Sequence, residues 1–239
     1  MYAPKINKAL KEQVQEFTTA YKRGDADPYM AISLVPIIKV LRPLYLDAAV
    51  VYGAKVIAYL PKRKARMPIG YSERMQLLVE QYFAVDFLND SQGITETTKE
   101  QIRKILLQAS REGLGIDDTL KLLEAPELTR YRSRLIARTE TVSAANFGAS
   151  AAANDTGLVL NKVWIAARDN RTRIDHASVN GTIVPQKETF IVGGYAMLYP
   201  GDRGGKDGRM KVPASEICNC RCSVGFIPVT DANGKLISL

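Results

Sequence analysis

Histidine occurs once in this chain, at His176, and tryptophan once, at Trp164. A single imidazole excludes every mechanism that needs two, including the paired-histidine helix of metalloproteases. There is no Gly-x-Ser-x-Gly elbow and no glycine-rich phosphate loop, so two common catalytic and nucleotide-binding signatures are missing. Cysteine is scarce and clustered, with Cys218, Cys220 and Cys222 each separated by one residue. Three thiols at that spacing cannot build a disulfide framework, which points to a reducing compartment and assembly in the cytoplasm. A membrane-spanning helix needs roughly 20 mostly apolar residues. The most apolar stretch, 28–60, is interrupted by Lys39, Arg42, Asp47 and Lys55 and by Pro36 and Pro43, so no span is expected. The opening Met1 to Lys8 is polar and amphipathic and is not expected to be a secretory leader.

What the chain does have is positive charge, +8 overall. Residues 139–239 hold 11 basic and 9 acidic side chains, and residues 1–138 hold 22 and 16, so an anionic partner would be felt mainly by the first half. The densest basic run contains Lys62, Arg63, Lys64 and Arg66. It reads either as a solvated loop or as a contact with nucleic-acid phosphates; without interleaved aromatics, base stacking is not indicated.

Periodicity predicts an α+β protein: a mainly helical N-terminal half, then a small mixed unit with short antiparallel strands, with the boundary at 128/129. Ile6, Leu10, Val14, Phe17 and Tyr21 share one helix face, ended by Gly24. Buried helices broken near Pro36 and Pro43 should follow, with one over 44–60. Ser72 is expected to cap a helix reaching Asn89. Thr97 with Glu100 fits a capping box for a helix ending at Gly113, and Asp117 caps a short helix that Pro126 ends. A long helix runs from Thr129 to about Asn154, and its small residues, Gly148 among them, admit a close neighbour. Beyond Gly157 the period becomes two: Leu160, Lys162, Trp164 and Ala166 on one side, Val159, Asn161, Val163, Ile165 and Ala167 on the other. Short strands are expected at 182–184, 190–192, 222–229 and 236–239.

The rarest residue types all fall between 162 and 222. On an extended strand Cys218, Cys220 and Cys222 project to one face, and with His176 they supply the ligand types of a zinc site. The usual zinc knuckle turns the backbone with a two-residue gap, and these single gaps favour packed, reduced thiols with no cofactor. His176 with a cysteine also has the inventory of nucleophilic catalysis, of nuclease or peptidase type. The polar run Arg171-Thr172-Arg173-Ile174-Asp175 before it reads equally as a hydrogen-bonded turn that fixes the strands.

Several separated motifs occur in order: Arg138-Thr139-Glu140, Asn146, Trp164 with Asp169, Arg173 with His176, Gly181, Pro200-Gly201-Asp202, and Asn219-Cys220-Arg221-Cys222. Over about residues 130–225 this set resembles the phage Mu F-like head morphogenesis family, the minor head proteins of tailed phages; Cys218 is not part of the pattern. The resemblance implies a non-enzymatic virion protein present in few copies, located inside the head at the portal vertex. Its implied partners are the portal protein, the major capsid or scaffold protein, and packaged DNA held by non-specific charge. It also implies a part in head morphogenesis, with DNA packaging or genome ejection as further roles. Against it stand the nuclease- or peptidase-like enzyme and a zinc-stabilised DNA-binding module.

Overall fold

Residues 1–60, 70–84, 88–205 and 207–238 are described by the computed structural model, without side-chain detail for 88–90. The basic run Lys62, Arg63, Lys64 and Arg66 lies outside the described residues. Helices α1 (Ala3–Arg23), α2 (Val35–Tyr59), α3 (Tyr71–Tyr82), α4 (Leu88–Arg111), α5 (Ile116–Glu124) and α6 (Glu127–Asn154) come first. Then follow β1 (Leu160–Ile165), α7 (Ile174–Ser178), β2 (Ile183–Pro185), β3 (Phe190–Val192), β4 (Tyr195–Met197), α8 (Ala214–Ile217) and β5 (Ser223–Pro228). This is the α+β order that the change of period predicts.

The chain divides into two compact units that are not successive in sequence: 1–43 with 80–137, and 44–79 with 138–239. The division falls inside α2, α3 and α6.

In the first unit α1 ends at Gly24 in the left-handed conformation, φ 81°. Val14 and Phe17 of α1 pack with Ile32, Ile102, Leu120 and Leu123. A polar network threads this core. The fully buried Gln13 donates to Ser33 O (2.7 Å) and Thr95 Oγ1 (2.8 Å), and its Oε1 accepts from Thr98. Arg132 reaches the Thr98 hydroxyl and Ile94 O, and burial lowers its pKa to about 10. Thr97 does not start a helix: it lies within α4, its hydroxyl donating to Gly93 O at 2.8 Å. A Thr-x-x-Glu pattern is equally at home inside a helix when the hydroxyl bonds back one turn. Asp117 lies in the first turn of α5, after the cap at Gly115.

Neither proline breaks α2. Pro36 occupies its first turn, where no N–H is required, and Pro43 sits inside it. Leu41, Leu44 and Tyr45 around Pro43 are buried.

In the second unit α2 and α6 meet backbone to backbone. A Cβ on Gly148 would lie 2.3 Å from Ala49 Cα, and one on Gly53 would lie 2.9 Å from Gly148 O. The small residues of α6 thus serve the close approach their size predicts. β1 is the middle strand of the antiparallel sheet β2-β1-β5, with Lys162 opposite Val184 on one side and Phe226 on the other. Leu160, Lys162 and Trp164 form its buried face, over a core that includes Phe190, Val192, Met197, Val224 and Phe226. β3 and β4 form a separate hairpin through Gly193-Gly194. No strand forms at 236–238; that segment makes only isolated bridges, Leu158 to Ser238 and Thr230 to Leu236. Among the described residues no helix is long and apolar enough to cross a membrane.

Candidate functional site

The motif residues of the sequence converge within the second unit, and most of them are engaged with one another. From α6, Arg138 donates to Asn219 Oδ1 at 2.6 Å, and the Thr139 hydroxyl accepts the Asn219 N–H at 2.8 Å. Asn219 is thereby held in a left-handed conformation, φ 62°. Next, Glu140, 3% exposed, accepts from the Tyr45 hydroxyl at 2.8 Å and from Arg203 Nη2 at 2.7 and 2.9 Å. Two turns along, Asn146 donates to Pro200 O (2.9 Å) and Cys222 O (3.1 Å) and accepts the Val224 N–H (3.0 Å). Thr139 and Asn146, on one face of α6, therefore hold two segments by their backbones, the Pro200 loop and residues 219–224.

Further bonds lock these segments and the turns beside them. Asp202 accepts the N–H groups of Leu198 (2.7 Å) and Gly204 (3.1 Å) and pairs with Arg209 at 2.5 Å. Gly201 beside it, φ 90°, presses on α6, where a Cβ would meet Ser143 Oγ at 2.5 Å. Gly181 donates its N–H to Trp164 O, and Asn180 accepts the Ala166 N–H. Arg173 donates to Cys218 O at 2.6 Å. Asp169 and Arg221 form a two-pronged pair at the surface, and the guanidinium holds the Asp169 carboxyl well below the usual carboxylate range.

His176, in α7, is 1% exposed and meets the Trp164 ring edge-on at 5.5 Å. Its Nδ1 lies 3.5 Å from both Cys220 Sγ and Cys222 Sγ, and its Nε2 lies 3.2 Å from Glu216 Oε2 in α8. Both cysteines are 3% exposed. The Cys220 thiol bonded to the Cys222 sulfur pushes its own pKa up and that of Cys222 down. Cys218 is not part of this group. The three cysteines do not lie on one strand: Cys218 caps α8, and the left-handed Asn219 reorients the chain after it. Burial pushes the Cys218 thiol up.

An apolar groove of about 620 Å³ runs over the same unit, lined by Tyr52, Tyr59, Ala145, Ile165, Cys222 and Phe226 among others. It reaches Cys222 but not His176 or Cys220. His176, Cys220 and Cys222 are all buried, at 1–3% exposure.

Sequence patterns miss Tyr45, Arg203, Arg209 and Glu216, all charged or polar partners supplied from outside the recognisable motifs. Lys162 is different, since its parity with Leu160 and Trp164 already assigns it to the buried face. Its Nζ donates to Leu198 O at 2.8 Å, over the Phe190 ring. Burial lowers its pKa from 10.5 to about 8, with Asp202 opposing. Between those values the unfolded chain binds more protons than the folded one, so stability should rise with pH across that window. Urea unfolding at pH 8 and pH 10 should show the wild type gaining on the order of 2 kcal/mol relative to Lys162→Met. Parallel pH profiles for the two proteins would contradict the burial of this ammonium.

Comparison with known proteins gives the chain a place. It is 34% identical over 105 residues to the minor head protein GP7 of Bacillus phage SPP1, covering 42% of this chain and 31% of that protein. To the uncharacterized protein YqbB of Bacillus subtilis (strain 168) it is 27% identical over 147 residues, 59% of this chain and 45% of that one. The chain thus spans less than half the length of the curated relatives it matches. No solved structure matches it. Residues 100–225, which hold α6 and the whole set of interlocking loops, match the family described as Phage Mu protein F like protein, and the chain belongs to that family.

Proposed function

We propose that this chain is a minor head protein of a tailed bacteriophage, built into the virion at the portal vertex and acting in head morphogenesis without enzymatic chemistry. The observation that carries this reading is the closure of the motif block. Its characteristic side chains are taken up in holding α6 to the Pro200 loop and to residues 219–224, and the imidazole and two of the thiols lie at 1–3% exposure. Family membership and the similarity to a minor head protein give that scaffold its setting.

In this reading the helical residues 1–128 supply the surface for the portal protein, with the major capsid or scaffold protein as neighbours. The excess of positive charge in the first half suits a protein lying against packaged DNA, which it would contact without sequence preference. Assembly takes place in the host cytoplasm, and a role in packaging or ejection follows from position beside the channel.

An in-frame deletion tests the proposal. Particles assembled without the protein should show reduced DNA content or infectivity, and wild-type particles should contain it in few copies. Full DNA content and full infectivity in its absence would contradict a role in the head.

A further inference from the structure

We propose that His176, Cys220 and Cys222 form a structural metal site for zinc, which staples α7 to the segment between α8 and β5. The three candidate donor atoms, one imidazole nitrogen and two sulfurs, lie within 4.8 Å of one another and belong to fully buried residues. Both sulfurs stand 3.5 Å from the same Nδ1. With Zn–S near 2.3 Å and Zn–N near 2.0–2.1 Å, a tetrahedral ion sets the sulfur–nitrogen edge at about 3.5–3.6 Å. The spacing is that edge, twice.

Hydrogen bonding to the imidazole accounts for only one of these two contacts, the other thiol turning to the neighbouring sulfur. A neutral imidazole has one accepting nitrogen with one lone pair, so it can accept one thiol well and not two. A cation at the centre satisfies all three donors at once. The far side of the ring agrees. Nε2 lies 3.2 Å from the Glu216 carboxylate, which fixes the proton on Nε2 and turns the Nδ1 lone pair toward the sulfurs. A carboxylate behind a histidine ligand is the usual outer support of such an ion, orienting the ring and strengthening its donor atom. The Cys222 N–H points at Cys220 Sγ at 3.4 Å, a bond that steadies thiolate charge.

Single gaps suit this site because only Cys220 and Cys222 are needed from the cysteine segment, and the imidazole comes from 44 residues earlier. Arg221, between them, points away to Asp169. Among the described residues no fourth His, Cys, Asp or Glu joins the group, so the last corner falls to a backbone oxygen or a water. Burial of all three side chains, at 1–3% exposure, suits an ion that serves folding. The proposal does not depend on the protein's place in the phage head.

Elemental analysis of the full chain, purified from zinc-supplemented culture without chelator, tests this. The wild type and Cys218→Ser should each carry about one zinc per chain, whereas Cys220→Ser and Cys222→Ser should lose it. Glu216→Gln should keep the site but bind zinc about 10–100-fold more weakly in a chelator competition. Since the cysteine variants risk misfolding, a second measurement uses the wild type alone. Cobalt(II) added to the metal-free chain should produce thiolate-to-cobalt charge-transfer absorption, and zinc should displace it. A folded wild type that takes up neither ion, and whose melting temperature is the same with and without chelator, would overturn the proposal.

Discussion

Glu140→Ala is expected to cost the second unit about 3 kcal/mol, because it removes a buried carboxylate that pairs with the Arg203 guanidinium and accepts from the Tyr45 hydroxyl. Glu140 is the acceptor for both Tyr45 and Arg203. Typical domains are stable by only about 5–15 kcal/mol, so a loss of this size should be visible in expression level as well as in urea unfolding. Glu140→Gln keeps the shape and an acceptor oxygen and should recover part of the loss. An alanine variant within about 0.5 kcal/mol of wild type, the range of ordinary surface substitutions, would show that the network is incidental.

Asn146→Leu should be nearly as damaging for a different reason. The side chains are similar in volume, so packing is roughly kept. What disappears are the bonds to Pro200 O and Cys222 O and the acceptor for the Val224 N–H. Each buried backbone group left unpaired costs about 1–3 kcal/mol. A total near 3 kcal/mol, read as a fall in melting temperature of about 6–12 °C, is the expected result. Asn146→Asp retains an acceptor for Val224 but not the two donations, and should fall between leucine and wild type. A leucine variant that melts with the wild type would mean that the loops hold without α6.

Much of this arrangement was visible in the residues alone, and the parts that were not share a cause. Alternation placed Leu160, Lys162 and Trp164 on the buried face of β1 because strand parity is a local property. Gly24 and Gly157 mark helix ends because their left-handed backbone is local too. Pro43 misleads, since whether a proline ends a helix depends on what packs around it. Single gaps alone would set the cysteines on one strand, but Asn219 turns left-handed, a conformation open to asparagine, where Arg138 and Thr139, some 80 residues earlier, bond to it. The pairing of His176 with Glu216 is equally non-local. The order of the motifs identified the family; the partners Tyr45, Arg203, Arg209 and Glu216 became visible only once the chain was folded.

Native-state hydrogen exchange tests the interlock most directly. The amides of Leu198, Gly204, Asn219 and Val224 are each bonded to a side chain of Asp202, Thr139 or Asn146. If those side chains lock the loops, the four amides exchange only when the whole second unit opens, at the rate of the β1 amides. Exchange at the rate of exposed loops, with β1 still protected, would contradict it.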